Sequence, residues 1–152
     1  MNPTDVLRYA HGTVIRTIDK LPLNDWEIAG VCGTWSVKDI IGHLAAYEHL
    51  LTEVLAPFAN ITIEPKIMPQ ISQIGVASFN DIQAASRKNL AAIQVLDEYT
   101  NIFTYNQEHV VPKVPSAIWP QIGMLPWYGA EYSLDDYIVY TFYGHKREHC
   151  AE

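Results

Sequence analysis

An all-α fold, a four-helix bundle, is what this sequence predicts, and three observations carry it. Apolar residues recur at helical spacing in four separate segments. Two of those segments open on a Ser followed three residues later by an Asp, Ser36 with Asp39 and Ser133 with Asp136, which is the pattern of a capping box. No segment outside the connectors alternates apolar and polar residues as a strand would. The connectors are long enough to permit an up-down-down-up order. With 152 residues, 49% of them apolar and 18% charged, the chain reads as one globular domain over residues 1–152, large enough to bury a core.

The first helix runs from about Thr4 to Lys20, with Val6, Ala10, Val14 and Thr17 as its stripe and Leu7 and Ile18 beside them. Asn2 and Pro3 suit its start, since Asn caps and Pro fits a first turn. A loop holding Pro22, Gly30 and Gly33 follows. The second helix starts after Ser36. Ile40, His43, Tyr47, Leu50 and Val54 share one face, Leu44, Leu51 and Leu55 widen it, and Pro57 marks its end. Asn60 to Gly75, with Pro65 and Pro69, is expected to be a connector containing at most a short extended piece. A third helix is expected over about Phe79 to Leu96, on the stripe Phe79, Ile82, Ser86, Leu90 and Ile93. Asp97 to Tyr132 then reads as a long loop with Pro112, Pro115, Pro120 and Pro126 among Trp119, Trp127 and Tyr128. Such a loop serves as a lid or binding element, or else its tryptophans plug the end of the bundle. The fourth helix starts at Ser133 and carries Leu134, Ile138, Thr141, His145 and His149 inward.

Composition excludes several classes. A formal charge of −7 with scattered basic residues disfavours a phosphate backbone as partner, so nucleic acid is not expected. No apolar run is long enough to span a bilayer, and the N-terminal residues lack the basic start of a signal peptide, so a cytoplasmic protein is expected. Cys32 and Cys150 form no CxxC pair and are expected to be reduced thiols. There is no glycine-rich phosphate loop, no GxSxG and no HExxH.

What remains is a histidine constellation. His145 and His149 stand one helical turn apart on one face, and His43 lies on the buried face of another helix. Three imidazoles can hold one divalent metal and leave a position open, as catalytic sites do. Ligand type admits Zn, Ni, Fe or Cu. Tyr47, Tyr140, Phe142 and Tyr143 would supply an apolar shell. The plainer arrangement makes His43 and His145 hydrogen-bonded core histidines and His149 a solvated terminal one. His11 reads as a fourth ligand, a pocket acid/base, or a half-buried hydrogen-bonded residue. Asp39 is a cap or an orienting partner for His43. Glu48 is a general base or a carboxylate at the rim. His49 and His109 fall on the surface, and Cys150 points about 100° away from His149 on a helix. Lys146 and Arg147 read as a solvated face or as a lure for an anionic substrate.

The stretch Gly33-Thr34-Trp35-Ser36-Val37-Lys38-Asp39-Ile40-Ile41-Gly42-His43-Leu44 resembles the second-helix signature of the DinB-like superfamily, in which a W-S-x-x-D segment leads to a metal-ligand His. The stretch from Tyr132 to Tyr137, continued by Thr141-Phe142-Tyr143-Gly144-His145-Lys146-Arg147-Glu148-His149, is similar to the last helix of that superfamily, and most of all to its ClbS/DfsB branch. The resemblance extends over nearly the whole chain and implies an up-down-down-up bundle with His43, His145 and His149 as metal ligands. Superfamily members include transferases and isomerases that use low-molecular-weight thiols. The ClbS/DfsB branch opens a strained electrophilic ring in self-resistance and has been associated with DNA, which the acidic charge here does not favour.

The expected protein is therefore a metal-dependent enzyme acting on small electrophilic molecules, by thiol transfer or hydrolytic ring opening. Its cofactors would be a divalent metal (Zn, Ni or Fe) and a low-molecular-weight thiol. Tyr47, Tyr140 or Trp127 would shape the pocket. The rival expectations are a non-catalytic small-molecule or metal binder of the same fold, and a stress-associated homodimer whose site has decayed. A homodimer fits each of these.

Overall fold

A computed structural model describes every residue from Met1 to Glu152. The protein is all-helical, and its only β contacts are isolated bridges between Cys32 and Trp35 and between Ile122 and Ser133. No helix is long and apolar enough to cross a membrane.

Helix α1 spans Pro3–Ile18, starts on an Asn2 side chain that accepts from the Asp5 N–H at 3.3 Å, and buries Leu7, Ala10, Val14 and Ile18. Helix α2, Val37–Leu55, is the central element. Ser36 and Asp39 form the expected capping box at its start, and most of its residues from Ile40 onward are buried. It has no solvated face because it packs on several other helices: α3 (Ile67–Ile74), α4 (Val76–Ser86) and α5 (Ala92–Tyr105). Helix α1 packs instead along the last helical run of the chain.

Three expectations fail in the middle of the chain. The Asn60 to Gly75 connector contains α3, whose first N–H groups are taken by the Glu53 carboxylate, which accepts from Lys66, Ile67 and Met68 at 2.7–3.0 Å. Pro69 sits within the first turn, where its missing N–H costs nothing. The helix expected over Phe79 to Leu96 is two helices. The chain turns at Arg87–Leu90, and Ile82 and Ile93 of the expected stripe are 45% and 47% exposed. The cause is tertiary. Buried Lys38 on α2 donates to the carbonyls of Lys88 and Leu90, each at 3.1 Å, satisfying the turn from outside. Helix α5 then runs into the region expected to be a loop. It buries Val95, Tyr99 and Phe103 at four-residue steps and continues through a π turn at Asn106–Val110. The irregular segment is thus only 114–132. In it, buried Trp119 plugs one end of the core, whereas Trp127 is 53% exposed beside Tyr128 and Tyr137.

The final helical run is continuous but not uniform: α6 covers Leu134–Ile138, a π-helical stretch covers Val139–Gly144, and α7 covers His145–His149. Ser133 and Asp136 form the expected second capping box. The π stretch has more residues per turn than an α-helix. The core residues Leu134, Ile138, Phe142 and Lys146 accordingly follow at steps of four.

The core has two apolar clusters, one around Leu51, Leu55, Phe103 and Phe142, the other around Val14, Ile41, Leu44 and Tyr99. Lys146 lies at their junction, with Nζ 5.3 Å from the Tyr99 ring and 5.5 Å from the Phe103 ring. There it pairs with Glu48, and both side chains are almost fully buried. Asn106 donates to the second Glu48 oxygen at 3.0 Å and to the Glu48 carbonyl at 2.9 Å, and accepts from Thr52 at 2.6 Å.

Candidate metal centre

The long, well-capped α2 fixes His43 two turns in from its start, and the π stretch delivers His145 and His149 to the same place from the other end of the sequence. Nε2 of His145 is 3.0 Å from Nε2 of His43 and 3.0 Å from Nε2 of His149. The three ligand atoms all lie within 4.8 Å of one another, close enough to hold one metal ion. Tetrahedral ligation at ordinary Zn–N distances sets nitrogens about 3.3 Å apart, so the spacing is nearly that of a bound site.

The second nitrogen of each ring tests whether these are ordinary core histidines. Nδ1 of His149 faces Oε2 of Glu152 at 2.8 Å, the carboxylate–imidazole pairing that orients metal ligands. The Thr141 backbone interacts with the ring of His145. Nδ1 of His43 is buried without a hydrogen-bond partner, and its ring is held by packing against Tyr47 at 4.6 Å and Trp35 at 5.1 Å between centroids. Nε2 of His145 stands between the Nε2 atoms of His43 and His149, so the three donor nitrogens converge on one place, where neutral imidazoles offer lone pairs. The residues fit a cation.

The electrostatics agree. Burial, then the charges of His145, His149 and Arg87, push His43 down to about 3. Burial and His149 push His145 down to about 4 against the opposing pull of Thr141. Both are neutral near pH 7, with lone pairs free for a metal.

The histidines form one wall of an open cleft of about 530 Å³ whose other walls include Cys32, Thr34, Trp35, Asn80, Glu148 and Glu152. The apolar shell expected from Tyr140, Phe142 and Tyr143 is not there. Tyr140 is 59% exposed and faces Tyr132, Phe142 sits in the core beside Tyr137, and Tyr143 accepts from Arg147 at the surface. Trp35, against His43, and Tyr47, against His43 and His145, take that role, and of the residues expected to shape the pocket (Tyr47, Tyr140 and Trp127) none lines the cleft.

Other candidates fall away from the centre. Glu48 is no rim carboxylate: it is fully buried and paired with Lys146, which is no solvated lysine. Asp39 is the cap, accepting from the Ser36 N–H at 2.9 Å and the Ser36 hydroxyl at 2.7 Å. His11 stacks on Phe103, with centroids 3.7 Å apart, and burial followed by the charge of Lys146 brings it down to about 4. It does not join the three histidines. His49 pairs with Glu98, His109 is exposed, and Cys150 faces an apolar pocket with Val14, Ile18 and Leu44.

Sequence reasoning missed Cys32, Trp35 and Glu152. Glu152 lies three residues beyond His149, a spacing that could have placed it one turn on. Cys32 carries no such signal, because its approach spans most of the chain. Comparison with protein-family models, with curated proteins and with solved structures finds no match for this chain.

Proposed function

We propose that this protein is a metal-dependent enzyme that acts on small electrophilic molecules, with His43, His145 and His149 holding a divalent cation. In this reading α1, α2, α5 and the run Leu134–His149 are the four helices of a DinB-like bundle in up-down-down-up order. The packing of α2 on α5 and of α1 along the final run supports it. The observation that carries the proposal is the meeting of three imidazole nitrogens on the wall of an open cleft.

When bound, the cation supplies Lewis acidity that makes a thiol or a water nucleophilic near neutral pH. The chain's own residues do the rest. Glu152 holds His149 in the tautomer that turns Nε2 to the centre. Trp35 and Tyr47 fix the His43 ring by packing. Trp35 also gives the cleft an apolar side for an organic substrate. Glu148, a residue of the cleft wall, is the carboxylate we assign to take a proton from an entering nucleophile.

The test is elemental analysis of tag-free protein beside the variant His145→Ala/His149→Ala. At least one equivalent of Zn, Ni or Fe is expected in the parent and none in the variant. The loaded protein is then screened with low-molecular-weight thiols against epoxides and strained rings. Failure of the parent to retain any of these metals after reconstitution would sink the proposal.

A further inference from the structure

Beside the three histidines stands a second group of donors. The ligand atoms of Cys32, His149 and Glu152 all lie within 4.8 Å of one another. Cys32 comes from the loop before α2, tied to Trp35 by their bridge, and His149 and Glu152 come from the end of α7 and just beyond it. The Glu152 carboxylate is gripped from two sides: the Cys32 thiol donates to Oε1 at 3.0 Å, and Nδ1 of His149 meets Oε2 at 2.8 Å. His149 therefore has both edges engaged, Nε2 toward His145 and Nδ1 toward Glu152. The two nitrogens of an imidazole point away from each other. One ring cannot serve the same cation twice, but it can serve two cations, one on each edge.

We infer that Cys32 Sγ, a Glu152 carboxylate oxygen and His149 Nδ1 form a second divalent-metal site that shares His149 with the first. It goes beyond the function proposed above and does not depend on the first site being catalytic. One sulfur, one nitrogen and one oxygen suit zinc or cobalt(II) and not magnesium or calcium, which take oxygen ligands. Ordinary metal–ligand lengths put tetrahedral neighbours about 3.3–3.6 Å apart. The thiol meets Oε1 and the imidazole meets Oε2, so the carboxylate already spans the two other donors and needs only to turn one oxygen to an ion seated among them. Nothing locks these contacts shut, since Glu152 is exposed and Cys32 is only half-buried. The hydrogens now lying between these donors are what the cation replaces. The thiol proton and the Nδ1 proton leave to solvent. With both sites filled, the two dications face three anionic groups (thiolate, carboxylate and a bridging imidazolate), which keeps the pair from repelling itself apart. The cleft reaches both groups, so each ion has a route in.

Anaerobic titration of tag-free protein with cobalt(II) chloride, in a phosphine reductant, tests this. Two equivalents are expected, one of them bringing the near-ultraviolet thiolate-to-cobalt charge-transfer band. Cys32→Ser should bind one equivalent without the band, and Cys150→Ser should keep both. Glu152→Gln, with circular dichroism unchanged, should weaken the banded equivalent about tenfold or more. His43→Ala should lose the other equivalent and retain the band, which separates the fate of this site from that of the three-histidine centre. A single equivalent in the parent overturns the inference, and so does a second that survives Cys32→Ser. A band that disappears with His43→Ala also overturns it, since Cys32 would then belong to the histidine centre.

Discussion

Glu98 shows how much one side chain can settle near the site. It accepts from Nε and Nη2 of Arg87 at 2.9 and 2.6 Å and faces His49 at 3.2 Å. Burial alone would raise its carboxyl, but the hydrogen bonds and charges of His49 and Arg87 hold it down at about 2. Its ordinary value is 4.5. A carboxyl depressed in the folded state stabilises the fold above the ordinary value, and that stabilisation drains away as pH falls from 4.5 toward 2. Glu98→Gln should therefore lower the urea midpoint at pH 7 and flatten its fall between pH 4.5 and 2, measured against the parent. The pair also bears on the three histidines. Arg87 lies over Gly42, where an added Cβ would meet its Cδ at 2.8 Å, and Gly42 adjoins His43. A small residue there lets α2 come close to the Arg87 turn. At this scale His145 and His149 were legible as a pair because they stand four residues apart on one helix, and His43 because it falls on the buried stripe of another. Glu48 and Lys146 were not, because a charged residue on a helix reads as solvated until its partner, 98 positions away, is known.

Among the elements, the two capping boxes were legible because each is written within four residues. The boundary between α4 and α5 was not. Arg87–Leu90 has neither Gly nor Pro, and the carbonyls it exposes are bonded by Lys38 from 50 residues away, so the break is dictated by packing. The buried pair between α2 and α7 is the analogous long-range bond at the site. Lys146 follows His145 directly, and its ion pair with Glu48 anchors the start of α7 from the core side. Lys146→Met leaves a buried carboxylate with Asn106 as its remaining partner, and should cost about 3–5 kcal/mol in chemical denaturation. Glu48→Leu/Lys146→Met should recover much of that loss, because it removes the stranded charge together with its partner. A double variant as unstable as the single one would show that the pair stabilises the fold rather than merely being tolerated.

For the whole molecule, the bundle was legible as a class, since its buried stripes are helical almost throughout. The distribution of its polar interior was not. Two apolar clusters meet at Glu48, Lys146 and Asn106, and the histidines come from α2 and α7, the helices that this junction ties together. A cation held by these histidines would join α2 to α7 in the folded state alone. Zinc or cobalt in excess should raise the melting temperature of the parent, corresponding to about 2.7 kcal/mol for each site at a hundredfold excess over its Kd, and a chelator should reverse it. His145→Ala/His149→Ala should melt at one temperature with or without the ion, as scanning calorimetry would show.

The π stretch at Val139–Gly144 is where these scales meet. An α-helix advances about 100° per residue, so one residue more or less changes the rotational phase of everything downstream by that much. With the wide turn in place, Lys146 arrives in phase with the core and its neighbour His145 in phase with the cleft. Without it, the same letters in the same order would present a lysine to solvent and an imidazole to hydrocarbon. What this helix presents to the core and to the cleft is set by a fraction of a turn, and a helix with a phase shifter in it can change what it offers while hardly changing its sequence.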